Sequence, residues 1–211
     1  MNIIQFEGVF GYLFEIVMWI VRLIILNFLW IIFSVLGIFL FGIAPASLAM
    51  ANVIYKWFSV GYDINFVKIF VKFYFNNFIK ANKIGLIVIL FAIFLWFDLY
   101  ISENFIRSAL FHAIIVLIIG AFTVFVSYLM VIFCRYELKF SQYFKQALLF
   151  SIGRPMESIG IILTIFLLAI LYSYIPILLF FMGISLSSYP IIGLAYHACL
   201  KVERKIENKT F

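Results

Sequence analysis

Apolar residues fill this chain in long, nearly unbroken runs, and short polar clusters separate them. The runs 16–41, 84–100, 109–134, 158–175 and 176–200 approach or exceed the roughly 20 apolar residues that carry a helix across about 30 Å of hydrocarbon. They lack the period-two alternation of an outer-membrane barrel strand. The pattern predicts an all-α, polytopic transmembrane helix bundle of about five spans. After the first run, Gly42-Ile43-Ala44-Pro45 marks a break, with Pro45 suited to a first helical position. The piece 45–58 is about 14 residues, or about 21 Å of helix, too short to cross. It reads as a half-helix, re-entrant or lying at the interface, and its Ala44, Ala46, Ser47, Ala49 and Ala51 suit close helix contact.

Two further stretches carry the helical period with a basic face. Between 64 and 83, Lys68, Lys72, Asn76, Lys80 and Lys83 share one side, while Phe66, Phe70, Phe73 and Phe78 occupy much of the rest. Such a segment either lies in the headgroup region or packs on the protein's own bundle, and the pattern is compatible with both. In 135–146, Lys139, Gln142 and Lys145 recur at helical spacing. Every Lys and Arg except Arg22 and Arg107 falls in 56–83, in 135–154 or in the tail from Lys201. With those three regions cytoplasmic, five alternating spans place the N-terminus outside and the C-terminus inside, as the positive-inside rule asks. A six-span layout turning at Gly37, with both termini inside, is the rival. A weak repeat accompanies the first layout: Phe78 and Ala81 recur as Phe144 and Ala147, and Arg135 and Glu137 as Lys201 and Glu203, each 66 residues on.

Composition sets the solvent. The hydrophobic set makes up 67% of 211 residues and charged residues only 11%, against about 25% charged in soluble domains. Disorder needs the opposite balance. Two cysteines cannot frame a secreted disulfide domain. No basic residue precedes the first run, which is also too long for a signal-peptide core, so it is expected to stay as an anchor. The net charge of +6 fits membrane topology and anionic lipid, with no call for nucleic acid.

Polar residues inside spans are the functional candidates, because they are expensive there. Arg22, Asp98 and His112 fall at similar depth from the expected outer side, which would allow an Arg22–Asp98 ion pair; snorkelling to the headgroups is the plainer role for Arg22. Asn27, near mid-span, reads as interhelical glue. Gly183, Ser185, Ser187, Ser188 and Pro190 interrupt the last span, as a proline kink or as the broken helix of a transporter site. No phosphate loop, HExxH or CxxC is present, and neither a metal nor a cofactor is expected. His112 and His197 lie on opposite sides in this layout. Cys134 and Cys199 both close spans on the reducing cytoplasmic side. No nucleophile, base and orienting group converge, so an enzyme is not expected.

Asn27, Leu29, Trp30, Pro45-Ala46, Ala49, Phe78-Ile79-Lys80-Ala81, Arg135-Tyr136-Glu137 and Gly183 together resemble the YesL-like family of uncharacterised bacterial membrane proteins. Val35-Leu36-Gly37 departs from it where the family usually has Leu-Pro. The resemblance implies a polytopic plasma-membrane protein of Gram-positive-type bacteria, from a family whose genes often neighbour oligosaccharide ABC transporters. It carries no catalytic residue. The expected role is an accessory or assembly component of carbohydrate uptake, docking an ABC-transporter permease or ATPase through Lys68, Lys72, Lys80, Arg135 and Glu137. The alternative is a small independent transporter or channel. Besides those proteins, the lipid bilayer is the expected partner, and the sequence leaves the oligomeric state open.

Overall fold

The computed structural model describes residues 9–106 and 108–207; the extreme termini and Arg107, which figured in the charge pattern, lie outside them. Seven helices follow in order: α1 (Val9–Leu36), α2 (Ile43–Ser59), α3 (Phe66–Ile101), α4 (Ala109–Arg135), α5 (Phe140–Gly153), α6 (Pro155–Tyr174) and α7 (Pro176–Glu207). A π-helical turn, Ser102–Ile106, extends α3. Five of these helices (α1, α3, α4, α6 and α7) are long and apolar enough to cross a membrane. This is a multi-pass membrane protein built as an all-α bundle.

The centre of the bundle is α2. Pro45, Ala46, the stretch from Leu48 to Ile54, and Trp57 are all buried, and α1, α3, α4 and α7 pack around them. The short helix expected over 45–58 is present as α2, and it is enclosed by protein. Its small residues explain why. A Cβ on Gly85 of α3 would land on the Ala44 Cβ, so the two helices touch almost backbone to backbone. The turn into α2 is equally tight. Ile38 and Phe39 take left-handed φ of 57° and 53°, a conformation that costs a β-branched residue more than most. Gly37 and Gly42 close it, because a Cβ on Gly42 would strike the Ser34 carbonyl.

The amphipathic stretch 64–83 and the span 84–100 form one 36-residue helix, about 54 Å long. Asn65 starts it, its side chain accepting the Lys68 N–H at 3.1 Å, and no proline interrupts it. Phe70, Tyr74 and Ala81 are buried while Lys68, Lys72, Lys80 and Lys83 stay exposed, so the phenylalanine side packs on the bundle. Of the two roles open to this segment, bundle packing is the one adopted.

The second basic helix starts later and ends later than 135–146. Tyr136 is extended (φ −119°, ψ 142°), and α5 begins only at Phe140. The Tyr143 hydroxyl fixes this linker, receiving the Leu138 N–H and donating to the Tyr136 carbonyl, both at 3.1 Å. At its far end Pro155 bars Arg154 from helical geometry and opens α6.

The course of α1 against α7 differs from the expected layout. Trp19 packs on Tyr189, Leu23 meets Ser185, and Phe28 packs on Phe181. Residue numbers rise on one helix as they fall on the other, so the pair is antiparallel. Val9 of α1 and Glu207 of α7 therefore point toward the same end of the bundle, and five helices, not six, are long and apolar enough to cross a membrane.

Candidate functional site

The interrupted α7 breaks at Met182 (φ −149°, ψ 15°), eight residues before Pro190 and just ahead of the expected place. A break in a membrane helix frees backbone groups that lipid cannot satisfy. Asn27 of α1 meets them. Its Oδ1 accepts the N–H groups of Ile184 and Ser185 at 3.3 and 3.4 Å, and its Nδ2 donates to the Phe180 carbonyl at 3.3 Å. Ser185 Oγ donates back to the Leu23 carbonyl at 2.8 Å. The Gly183 carbonyl accepts from both Tyr172 Oη (2.9 Å) and Ser187 Oγ (2.6 Å). Asn27 and Ser185 are buried, and Ser188 is half-buried one residue beyond Ser187. The polar residues of the break therefore close it from within. Asn27 joins α1 to α7 as interhelical glue, with a specific job attached; Tyr172 is a partner that no pattern in the sequence marks.

Arg22, Asp98 and His112 do not meet. The Arg22 guanidinium lies 5.4 Å from the Tyr62 ring centroid, beside the α2–α3 loop. Asp98 and His112 sit at the other end of α3, about 48 Å of helix from Phe66. There His112 Nδ1 lies 3.5 Å from Ser102 Oγ. Arg22 and Asp98 lie toward opposite ends of α3, and the expected ion pair between them is absent among the described residues. Arg22 instead belongs to an aromatic cluster. The Tyr62 and Tyr189 hydroxyls are hydrogen-bonded to each other, and Trp19 stacks edge-on against Tyr189 at 5.2 Å. Burial, then the bond to Tyr189, pushes the Tyr62 hydroxyl well above its usual range. A groove of about 920 Å³ opens beside it, with Glu15, Arg22 and Asp63 among its walls.

The strongest polar constellation closes the basic end. Arg135, the last residue of α4, donates from Nε to Glu203 Oε1 at 2.7 Å and from Nη2 to Oε2, a two-pronged pair. Tyr136 Oη donates to the same carboxylate at 2.6 Å, and Arg135 Nη1 donates to Tyr55 Oη at 3.3 Å. The guanidinium also lies 5.6 Å from the Tyr196 ring centroid. One arginine thus ties α2, α4 and α7 together. Burial, then the bond to Glu203, raises the Tyr136 hydroxyl above its usual range. Lys201 Nζ adds a bridge to Glu157 Oε1 at 2.8 Å, joining α7 to α6. Arg135 is turned inward and engaged, so it presents little to a partner; Glu137 beside it is exposed, as are Lys68, Lys72 and Lys80 on α3.

Among the described residues no three His, Cys, Asp or Glu side chains come together as a metal set. His197 packs beside Phe58, and both cysteines are free thiols. Comparison with known proteins adds lineage. Residues 23–99 match the family described as "Protein of unknown function, DUF624". Three relatives come from Bacillus subtilis (strain 168). The uncharacterized protein YesV is 33% identical over 167 residues, covering 74% of this chain and 78% of its own length. The uncharacterized protein YteU is 29% identical over 205 residues (95% and 90%), and the uncharacterized protein YesL 27% identical over 193 residues (90% and 91%). The chain belongs to this YesL-like, DUF624 family. No solved structure matches it. The DUF624 match takes in Asn27, all of α2 and the Ala44–Gly85 contact, whereas the Arg135–Glu203 pair lies beyond it.

Proposed function

We propose that this DUF624 protein is a non-catalytic accessory or assembly component of an oligosaccharide uptake system in the plasma membrane. It would dock an ABC-transporter permease or ATPase at its basic end. One observation supports the docking: the α3 lysines 68, 72 and 80 form an exposed stripe on a helix whose other side is fixed in the bundle. A rigid basic rail of this kind suits an acidic partner surface better than a mobile loop does. The carbohydrate assignment rests on the YesL-like resemblance. In this reading the basic end is cytoplasmic, by the positive-inside rule, and the antiparallel α1 and α7 bring both termini there.

A photo-crosslinker at position 72, placed in the full-length protein in native membranes, tests the docking. The expected product joins it to an ABC-transporter component, and Lys68→Glu with Lys80→Glu abolishes that product. Crosslinking no stronger than from Leu163, on the exposed apolar side of α6, would sink the reading. The transporter alternative draws on the break in α7, but Asn27, Ser185, Ser187 and Tyr172 already fill that break with internal hydrogen bonds. Flux through liposomes holding the purified protein alone would favour it.

A further inference from the structure

One apolar groove in the described structure belongs to neither reading. A groove of about 960 Å³ runs between the α3–α4 hairpin and α6, and α5 crosses its lower end. Its walls are Phe91, Leu117, Ala121 and Phe122 on one side and Leu148 and Ile162 on the other, almost wholly apolar. The polar exceptions are Lys145, Ser151 and Ser158, of which Lys145, at the α5 end, is the one charged group. The Lys145 side chain is exposed and is in neither of the ion pairs found among the described residues. The same helix turns Leu148, Leu149 and Ile152 outward, the pattern of a helix seated at the bilayer surface.

We infer that this groove is a binding site for an anionic phospholipid, with one acyl chain lying between α4 and α6 and the phosphate on Lys145. The occupant follows from the surroundings and the charge. In a membrane-spanning chain the groove opens to lipid, not water, so a dry apolar trough accepts an acyl chain. A single unpaired lysine at the headgroup end selects a negative phosphate, as basic pockets between membrane helices do. Zwitterionic lipid can fill the trough as well, but its headgroup brings no net charge to the lysine.

The test uses the full chain in nanodiscs containing equal phosphatidylglycerol and phosphatidylcholine, followed by native mass spectrometry of the lipids retained on release into detergent. Wild type should retain phosphatidylglycerol over phosphatidylcholine by about fivefold, the preference one lysine near the surface confers. Lys145→Gln should bring the ratio to about one while keeping a lipid bound. Lys83→Gln, on α3 outside the groove, should leave the preference intact. Ala121→Trp should remove the retained lipid of both kinds, and since Ala121 faces outward the fold should survive, as a single sharp size-exclusion peak would confirm. Should Ala121→Trp misfold, Leu117→Trp on the same wall serves in its place. Equal retention of the two lipids by wild type, or an unchanged preference in Lys145→Gln, overturns the site. Undiminished lipid in the folded tryptophan variant does so too.

Discussion

Asn27→Leu is the sharpest test of how the bundle handles its broken helix. Leucine keeps the branched shape of asparagine with bulkier methyl ends, so no cavity opens, and the chief loss is of hydrogen bonds. Three are lost: two accepted from the Ile184 and Ser185 amides and one donated to Phe180, all at 3.3–3.4 Å. Side-chain hydrogen bonds between membrane helices average about 0.6 kcal/mol, which gives about 2 kcal/mol for the set. Those amides, next to the non-helical Met182, then lose their side-chain acceptor. An orphaned buried donor costs about 1–3 kcal/mol, so the expected loss is about 2–4 kcal/mol. Reversible unfolding in mixed micelles, titrated with SDS, measures it. Hydrogen–deuterium exchange of 180–188 should rise in the same variant. Ser185→Ala, which loses mainly the bond to the Leu23 carbonyl, should cost only about 1 kcal/mol. If Asn27→Leu stays within about 0.5 kcal/mol of wild type and exchange is unchanged, Asn27 does not splice the break, and the argument against a transport path through α7 falls with it.

Three further outcomes follow from the same geometry. The Arg135–Glu203 side chains are 16% and 32% exposed, so solvent screening limits Arg135→Met to a loss of roughly 1–2 kcal/mol. Adding Glu203→Gln should recover part of that loss in a double-mutant cycle read by the same unfolding titration. Gly85→Ala gains about 1 kcal/mol of helix propensity but forces a methyl onto Ala44, and overpacking of about 1–3 kcal/mol should win. Ala44→Gly should restore stability, which a thermal shift in detergent would show. Reporter fusions to each end should place both termini on one side of the membrane; opposite sides would contradict the antiparallel course of α1 and α7.

Legibility in this chain divides along one physical line. Run length reports hydrophobic thickness, so the long spans could be read directly from the residues. The same measure marked α2 as too short to span but not how deeply protein encloses it, and only its alanines hinted at that. Direction was the harder quantity. The stretch before α1 carries no basic residue to orient it, so the depth assigned to Arg22 rested on an assumption, and its contact is with Tyr62 rather than Asp98.

The 66-residue offset can be laid on the helices: α4 shifted by 66 falls on 175–201, almost wholly within α7, and α3 falls on 132–167, from the last turn of α4 through α5 into α6. Ala81 and Ala147, equivalent under that shift, are both fully buried. The two stretches diverge at several points, among them Gly153-Arg154-Pro155, which cuts the second where the first has Ile87-Val88-Ile89 and runs on as a single helix. That cut frees α5 to swing across the base of the α3–α4 hairpin. The uncut α3 keeps its lysines in line with its span. One inserted helix breaker thus turns a straight basic rail in the first unit into the floor of an apolar groove in the second, which is why the two basic segments, so alike in the residues, do different work in the fold.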